Sequence, residues 1–347
     1  MSRRARTLIP GVVILAILII LAATLPVPYV VLSPGPTLNT LGKYETPKGS
    51  RDIITITGRQ TNETSGNLNL TTVQSTVGRI SAFQAIMGWI RHDEVVVPRE
   101  TIYPPGVSQK DVDRRDAQDF TDSQNSAIAA AFCELGYPRG FGVLAVSTEL
   151  KPKGALRVGD QLLTFAGEPV TDLNSLLKAE QKHKAGETVE VGIKRLGEPM
   201  TVSVVLNPPV GKATNPTIGI IPGQTCFATY KVTLGLNNSI GGPSAGLMFA
   251  LGIMDKVGDE NITQGRFIAG TGTIDPSGKV GPIGGIQLKM IAARRAGATV
   301  FLAPASNCAE VRENVPKGLE VVKVATLHGA VTDLNQIKSG QHPAGCG

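Results

Sequence analysis

Asn238-Ser239-Ile240-Gly241-Gly242-Pro243-Ser244-Ala245-Gly246 runs directly into the apolar stretch Leu247 to Asp255. A glycine-rich loop that turns into so apolar a segment reads as a loop entering a buried helix, with Ser244 at the junction. Free backbone N–H groups and the positive end of the helix dipole gather at such a junction, where they can hold a developing oxyanion. Gly242, Pro243 and Ala245 make up the loop beside the hydroxyl, and the small residues 242, 245 and 246 give a peptide backbone room to approach. Helix capping is the commonplace role of a serine in this position. A nucleophile needs a base, and the chain offers candidates further on.

Two kinds of base are available. Gly242-Pro243-Ser244-Ala245-Gly246 fits G-x-S-x-G, the nucleophile elbow that is followed along the chain by an acid and a histidine. His328, with Asp275 before it, would be that pair; His342 lies in the tail Ser339-Gly340-Gln341-His342-Pro343. Residues 209–338 are too few for the hydrolase core that carries such an elbow. The other base is a lysine. In Ile286-Gln287-Leu288-Lys289-Met290-Ile291-Ala292-Ala293-Arg294-Arg295, helical spacing sets Ile286, Ala292 and Ala293 on the side of Lys289. Arg294 and Arg295 fall at the end where cations suit the helix dipole. Lys289 is thus a candidate for burial, against the ordinary alternative of a stem packed on the core with its head in water. Lowering a lysine pKa from about 10.4 to near 7 costs roughly 4 to 5 kcal/mol, and only the neutral amine could take the Ser244 proton.

Outward from these segments, residues 209–338 alternate helix and strand, with Thr299-Val300-Phe301-Leu302 as a strand and Asn307 to Glu313 as a helix opening on a capping Asn307 with Glu310 three positions on. Residues 136–208 change character at Gly136-Tyr137-Pro138-Arg139-Gly140. Short strands, glycine turns and one helix, Leu173 to Lys178, follow. Residues 28–135 form an N-terminal region, with alternating strand patterns over 52–75 and helical ones over 78–135, clearest from Ser123 to Leu135. Residues 339–347 are a tail.

The first residues bear on location. Ser2-Arg3-Arg4-Ala5-Arg6 belongs to a short cytoplasmic N-terminus, residues 1–7, and precedes the uncharged stretch Leu8 to Leu25. At about 1.5 Å per residue that stretch is just long enough for a hydrocarbon core, so residues 8–27 are expected to be a transmembrane anchor. With the next basic residue at Lys43, the positive-inside bias puts the remainder outside the cytoplasm in a single-pass protein of the cell membrane. A cleaved signal peptide is the competing reading, weakened by the lack of an A-x-A site.

In 347 residues, 41% are hydrophobic, enough for two or three packed domains. The net charge of +6 is dispersed and aromatic residues make up only 4%, so neither a basic nucleic-acid face nor a base-stacking platform is indicated. Cys133, Cys226, Cys308 and Cys346 show no C-x-x-C spacing, and no metal site is expected. Outside the cytoplasm a Cys308–Cys346 disulfide is the candidate pair; four thiols are the alternative.

Three blocks in register, Gly242-Pro243-Ser244-Ala245-Gly246, Gly270-Thr271-Gly272-Thr273-Ile274 and Gly278-Lys279-Val280-Gly281-Pro282-Ile283-Gly284-Gly285 leading to Lys289, resemble the proteolytic domain of Lon proteases over residues 215 to 335. The resemblance implies Ser244 as nucleophile, Lys289 as general base, Thr271 as the residue that orients the lysine, and assembly in homo-oligomeric rings, often hexamers. Gly154-Ala155-Leu156-Arg157-Val158-Gly159-Asp160-Gln161-Leu162-Leu163 and Gly167-Glu168-Pro169-Val170 resemble a bacterial PDZ domain. That implies peptide binding by strand addition, with Gly140, Phe141 and Gly142 as the carboxylate loop. Anchor, PDZ unit and Lon-like unit in this order resemble the bacterial membrane-anchored PDZ-Lon proteases. The expected fold is therefore α+β: a transmembrane helix, a PDZ-like β-rich domain and a Lon-type α+β proteolytic domain. The expected activity is a serine endopeptidase acting on unfolded or exposed protein segments without cofactor. No G-x-x-x-x-G-K-[ST] loop is present, so ATP is not expected to drive it. A tethered PDZ adaptor whose Lon-like domain serves assembly is the rival. One departure stands out: many Lon proteins carry an acid three positions before the serine, where this chain has Gly241.

Overall fold

Strand β10 (Val300–Pro304), Val-Phe-Leu-Ala-Pro, has every residue buried, and its alternation decides the layering of the catalytic half. Val300 and Leu302 point into one apolar cluster, Phe301 and Ala303 into another, so helices cover both faces of the sheet. The computed structural model describes residues 3–46, 49–76, 78–147, 150, 156–211, 214–236, 241–259 and 261–346. In chain order, the elements that position the site are helix α1 (Arg3–Thr24), strands β1 (Tyr29–Asn39), β2 (Asn67–Ser75) and β3 (Val95–Pro98), and helix α2 (Gln109–Glu134). Strands β4 (Arg139–Val146) and β5 (Gln161–Phe165), helix α3 (Leu173–Glu180), and strands β6 (Thr188–Arg195), β7 (Glu198–Val205) and β8 (Ile220–Cys226) follow. The chain closes with helix α4 (Gly246–Val257), strand β9 (Phe267–Gly270), helix α5 (Ile286–Ala296), strands β10 (Val300–Pro304) and β11 (Glu320–Val324), and helix α6 (Leu327–Lys338).

Six strands form one sheet in the order β11-β10-β9-β2-β1-β3. Its parallel part joins β11, β10, β9 and β2, while β1 and β3 add on antiparallel. Residues 28–135 thus supply half the strands of the sheet that carries the serine and lysine helices, rather than a region apart. Helices α2, α4 and α6 bury their apolar sides against one face and α5 against the other.

A second sheet, β7-β6-β5-β4-β8, wraps its own core of Phe141, Val143, Phe165, Leu176, Val191, Ile193 and Val204. The β6–β7 hairpin closes through Leu196 and Gly197, both at positive φ, as a two-residue hairpin turn requires. The chain enters this unit from the end of α2 and leaves it through β8. A Cys133–Cys226 disulfide pins those two crossing points together, and Cys308–Cys346 ties the C-terminal segment to the helix after β10. The Cys308–Cys346 pairing agrees with the candidate read from sequence; the other bridge was not anticipated.

The expected transmembrane anchor is not supported. Among the described residues no helix is long and apolar enough to cross a membrane. Met1, Ser2, Asn238, Ser239, Ile240, Gly154, Ala155 and Gly347 lie outside the described residues.

Candidate active site

Strand β9 ends at Gly270, and the site is built around that carboxyl end, where helices from both faces of the sheet converge. Gly270 leaves no room for a side chain: a Cβ there would lie 2.7 Å from Met248 Sδ and 2.9 Å from Leu302 Cβ. Thr271, fully buried, follows it.

Helix α4 begins at Gly246, two residues after the serine. Its N-cap is Ala245, with no side-chain capping bond, so Ser244 is not the cap and its hydroxyl is left for other work. Ser244 is half-buried, Ala245 and Gly246 are buried. The Ser244 carbonyl accepts from Gly272 N at 2.8 Å and from Thr271 Oγ1 at 3.0 Å. The N–H groups of Ser244, Ala245 and Gly246 have no backbone acceptor among the described residues, the arrangement expected of unclaimed donors at a helix start.

Helix α5 starts at Gly285 in the left-handed region (φ 69°), after a loop that Asn307 holds by pairing with both Ile283 N (3.0 Å) and Ile283 O (2.9 Å). Asn307 therefore does not cap its own helix as its position suggested, because its amide is committed to that loop. One turn into α5, Lys289 is buried at 3% exposure, beside Leu288, Met290 and Ala292. Its Nζ lies 2.6 Å from Ser244 Oγ and 3.0 Å from Thr271 Oγ1. Because the Thr271 hydroxyl donates to the Ser244 carbonyl, its lone pairs face the amine and fix where it sits. Burial among apolar groups pushes the Lys289 ammonium down from its ordinary range to about 8.

Sequence thus brought together Ser244, Lys289 and Thr271, which meet within hydrogen-bonding distance. The histidines go elsewhere: His328 pairs with Glu134 at 2.7 Å and His342 with Glu320 at 2.9 Å, both exposed. Asp275 spends its carboxylate on the backbone of Ser277 and Lys279.

Helix α2, read as a helix from Ser123 on but not linked to the site in the sequence, lines the serine loop. Ser123 Oγ donates to Pro243 O at 2.8 Å, and Asp116 O accepts from Gly242 N at 3.0 Å. Gly241 and Gly246 stand directly against this helix. A Cβ on Gly241 would stand 2.8 Å from Asp116 Cβ, and one on Gly246 would stand 2.9 Å from Ser123 Oγ and 2.7 Å from Ile274 Cγ2. Asp116 thus occupies the space beside position 241, the glycine at which this chain departs from the Lon pattern. Partial burial, then the neighbouring Asp119 and Asp113, hold its carboxyl above the usual range. The signal that could have pointed to this face is the i, i+4, i+7 set Asp116, Phe120, Ser123, with a single aromatic between two short polar side chains.

Gly140, Phe141 and Gly142 lie far from this chemistry in β4, whose backbone pairs with β8 from Arg139 to Val146 and with β5 at Gly142. Phe141 is buried in the core of the second sheet. The outer strand is β8, which the sequence reading did not foresee because its partners are distant in the chain. Helix α3 stands near it, where buried Glu180 accepts from Ile218 N at 3.2 Å and burial pushes its carboxyl up to about 7.

The two units are similar to two known domains. Residues 234–335 match the family model of the Lon protease (S16) C-terminal proteolytic domain, and residues 118–206 match that of the PDZ domain. The chain is 35% identical over 105 residues to the Lon protease of Azospirillum brasilense, covering 28% of this chain and 13% of that protein. It is 41% identical over 95 residues to the Lon protease of Heliobacterium modesticaldum, covering 26% of this chain and 11% of the relative. The matches therefore span only a small part of those relatives' length. Among solved structures, the PDZ domain of the SdrC-like protein from Listeria innocua is 25% identical, covering 24% of this chain and 92% of that one, with a TM-score of 0.22.

Proposed function

We propose that this chain is a serine endopeptidase that uses Ser244 as nucleophile and Lys289 as general base. It needs no ATP, and it cuts unfolded or exposed protein segments. The observation that carries the reading is the 2.6 Å approach of Lys289 Nζ to Ser244 Oγ inside an apolar shell. A neutral amine there accepts the hydroxyl proton as Oγ attacks the scissile carbonyl. The N–H groups at the start of α4 face the charge that develops on the carbonyl oxygen. The ammonium so formed returns its proton to the leaving amine, freeing the new N-terminus and leaving an acyl-serine. Water, deprotonated by the same lysine, then releases the acyl group and restores the serine.

The absence of a phosphate-binding loop in the 347 residues supports ATP independence, so substrates arrive already unfolded. Two disulfides support work in an oxidising compartment outside the cytoplasm. The PDZ domain is proposed to bind peptide segments.

The test is cleavage of an unfolded protein by the purified full chain without nucleotide. Ser244→Ala and Lys289→Ala are each expected to abolish cleavage with the fold intact by circular dichroism. A wild-type chain that binds peptides tightly yet never cleaves would refute the enzyme and leave the adaptor.

A further inference from the structure

Helix α2 holds the serine loop by two bonds on one face. Asp116 and Ser123 are seven residues apart, two helical turns, so both look the same way. Between them Phe120 is buried and meets Phe249 of α4 edge to face at 5.9 Å, which locks the register of α2 against the serine helix. Asp116 O takes the N–H of Gly242 and Ser123 Oγ gives its proton to Pro243 O.

Ser123 behaves unlike its neighbour. A hydroxyl in the middle of a helix commonly bonds back to the carbonyl four residues earlier, as Thr121 does to Ala117 O at 2.9 Å. Ser123, only 4% exposed, instead reaches outside its helix to Pro243 at 2.8 Å. Gly246 is the residue that makes room for it: a Cβ there would come within 2.9 Å of Ser123 Oγ.

The consequence lies one bond further on. A trans peptide is planar, with its C=O and N–H pointing in opposite directions. Fixing Pro243 O toward α2 aims the N–H of Ser244 away from α2. Proline fixes its own φ, so the soft motion left to this peptide is rotation about ψ of Pro243 together with φ of Ser244. The Ser123 hydroxyl opposes that rotation.

We propose that Ser123 is a positioning residue of the reaction: by holding the Pro243–Ser244 peptide it aims the Ser244 N–H at the oxyanion of the tetrahedral intermediate. The inference rests on the Ser244–Lys289 reading above. Ser123 touches neither substrate nor the reacting atoms, and it acts through the backbone.

The experiment compares the full chain with Ser123→Ala and Ser123→Cys on a quenched-fluorescent peptide. Affinity for a peptide boronate, which forms a tetrahedral adduct on serine, is measured alongside affinity for a non-cleavable peptide of the same sequence. Removing one oxyanion donor typically costs about 100- to 1,000-fold, and a misaimed donor is expected to cost less, roughly 10- to 100-fold in kcat. KM is expected to stay within about twofold, boronate affinity to fall by a factor like that in kcat, and non-cleavable peptide affinity to hold. The pH midpoint should not move, because Lys289 is untouched. Ser123→Cys, which keeps the shape with a weaker donor, should fall between; it also decides the matter should Ser123→Ala not fold. Near-wild-type kcat in either variant overturns the proposal. So does a loss shared equally by the boronate and the non-cleavable peptide, which would mark a structural role. An inert wild type overturns the enzyme reading itself, whereas an active wild type with an equally active Ser123→Ala sinks this inference alone.

Discussion

Lys289→Met should stabilise the chain at neutral pH while ending catalysis. Burial lowers the Lys289 ammonium from 10.5 to about 8, which corresponds to about 3 kcal/mol lost in keeping the charge inside the fold. Below pH 8 the lysine is protonated in both folded and unfolded chains, so the folded state bears the whole penalty. Between pH 8 and 10.5 the unfolded chain binds more protons than the folded one, so stability rises with pH and the penalty fades. Methionine removes the charge at similar length but gives up the contacts to Ser244 Oγ and Thr271 Oγ1, worth about 1 kcal/mol each. Thr271 keeps the Ser244 carbonyl as acceptor, and half-buried Ser244 can turn to water. The net gain at pH 6 to 7 is about 1 kcal/mol, or about 2–4 °C in the melting temperature of a unit of about 150–250 residues. Calorimetric unfolding of both chains from pH 6 to 10 measures it, and the advantage should shrink and reverse above about pH 9. A variant less stable than wild type at pH 7, or a difference that does not change with pH, would refute the buried-amine argument.

Cleavage by the wild-type chain should rise with pH around a midpoint near 8, following the neutral fraction of Lys289; a flat initial-rate profile from pH 6 to 10 would remove it as the base. Gly241→Ala puts a Cβ 2.8 Å from Asp116 Cβ, so α2 and the serine loop must part. The expected cost is about 1–3 kcal/mol in urea unfolding, with a fall in kcat of about tenfold or more. Cys133→Ala with Cys226→Ala opens a link between residues 93 apart in the chain, and unfolding without reductant should show about 2–4 kcal/mol less stability than wild type.

Local patterns reached far into this protein. The loop-to-helix junction at Ser244 and the apolar neighbours of Lys289 were legible because a helical period of 3.6 residues writes burial directly into the sequence. The helices α3, α4 and α5 fell within a residue or two of where that period put them. Thr271 came from the resemblance in register to Lon-type blocks, since a lone threonine after a glycine carries no local signal. Tertiary structure alone decided the rest. Strand β2 enters the catalytic sheet beside β9, whose residues lie 200 positions on, and β1 and β3 join through it; no periodicity encodes such a partner. The same holds for β8, which covers the edge beside Phe141, and for the Cys133–Cys226 bridge. The anchor expected at residues 8–27 finds no support, since among the described residues no helix is long and apolar enough to cross a membrane. Most consequentially, the neighbours of the nucleophile come from α2. Asp116 and Ser123 reach Gly242 and Pro243 only because two aromatic rings, Phe120 and Phe249, set one helix against another, and such packing exists in three dimensions alone.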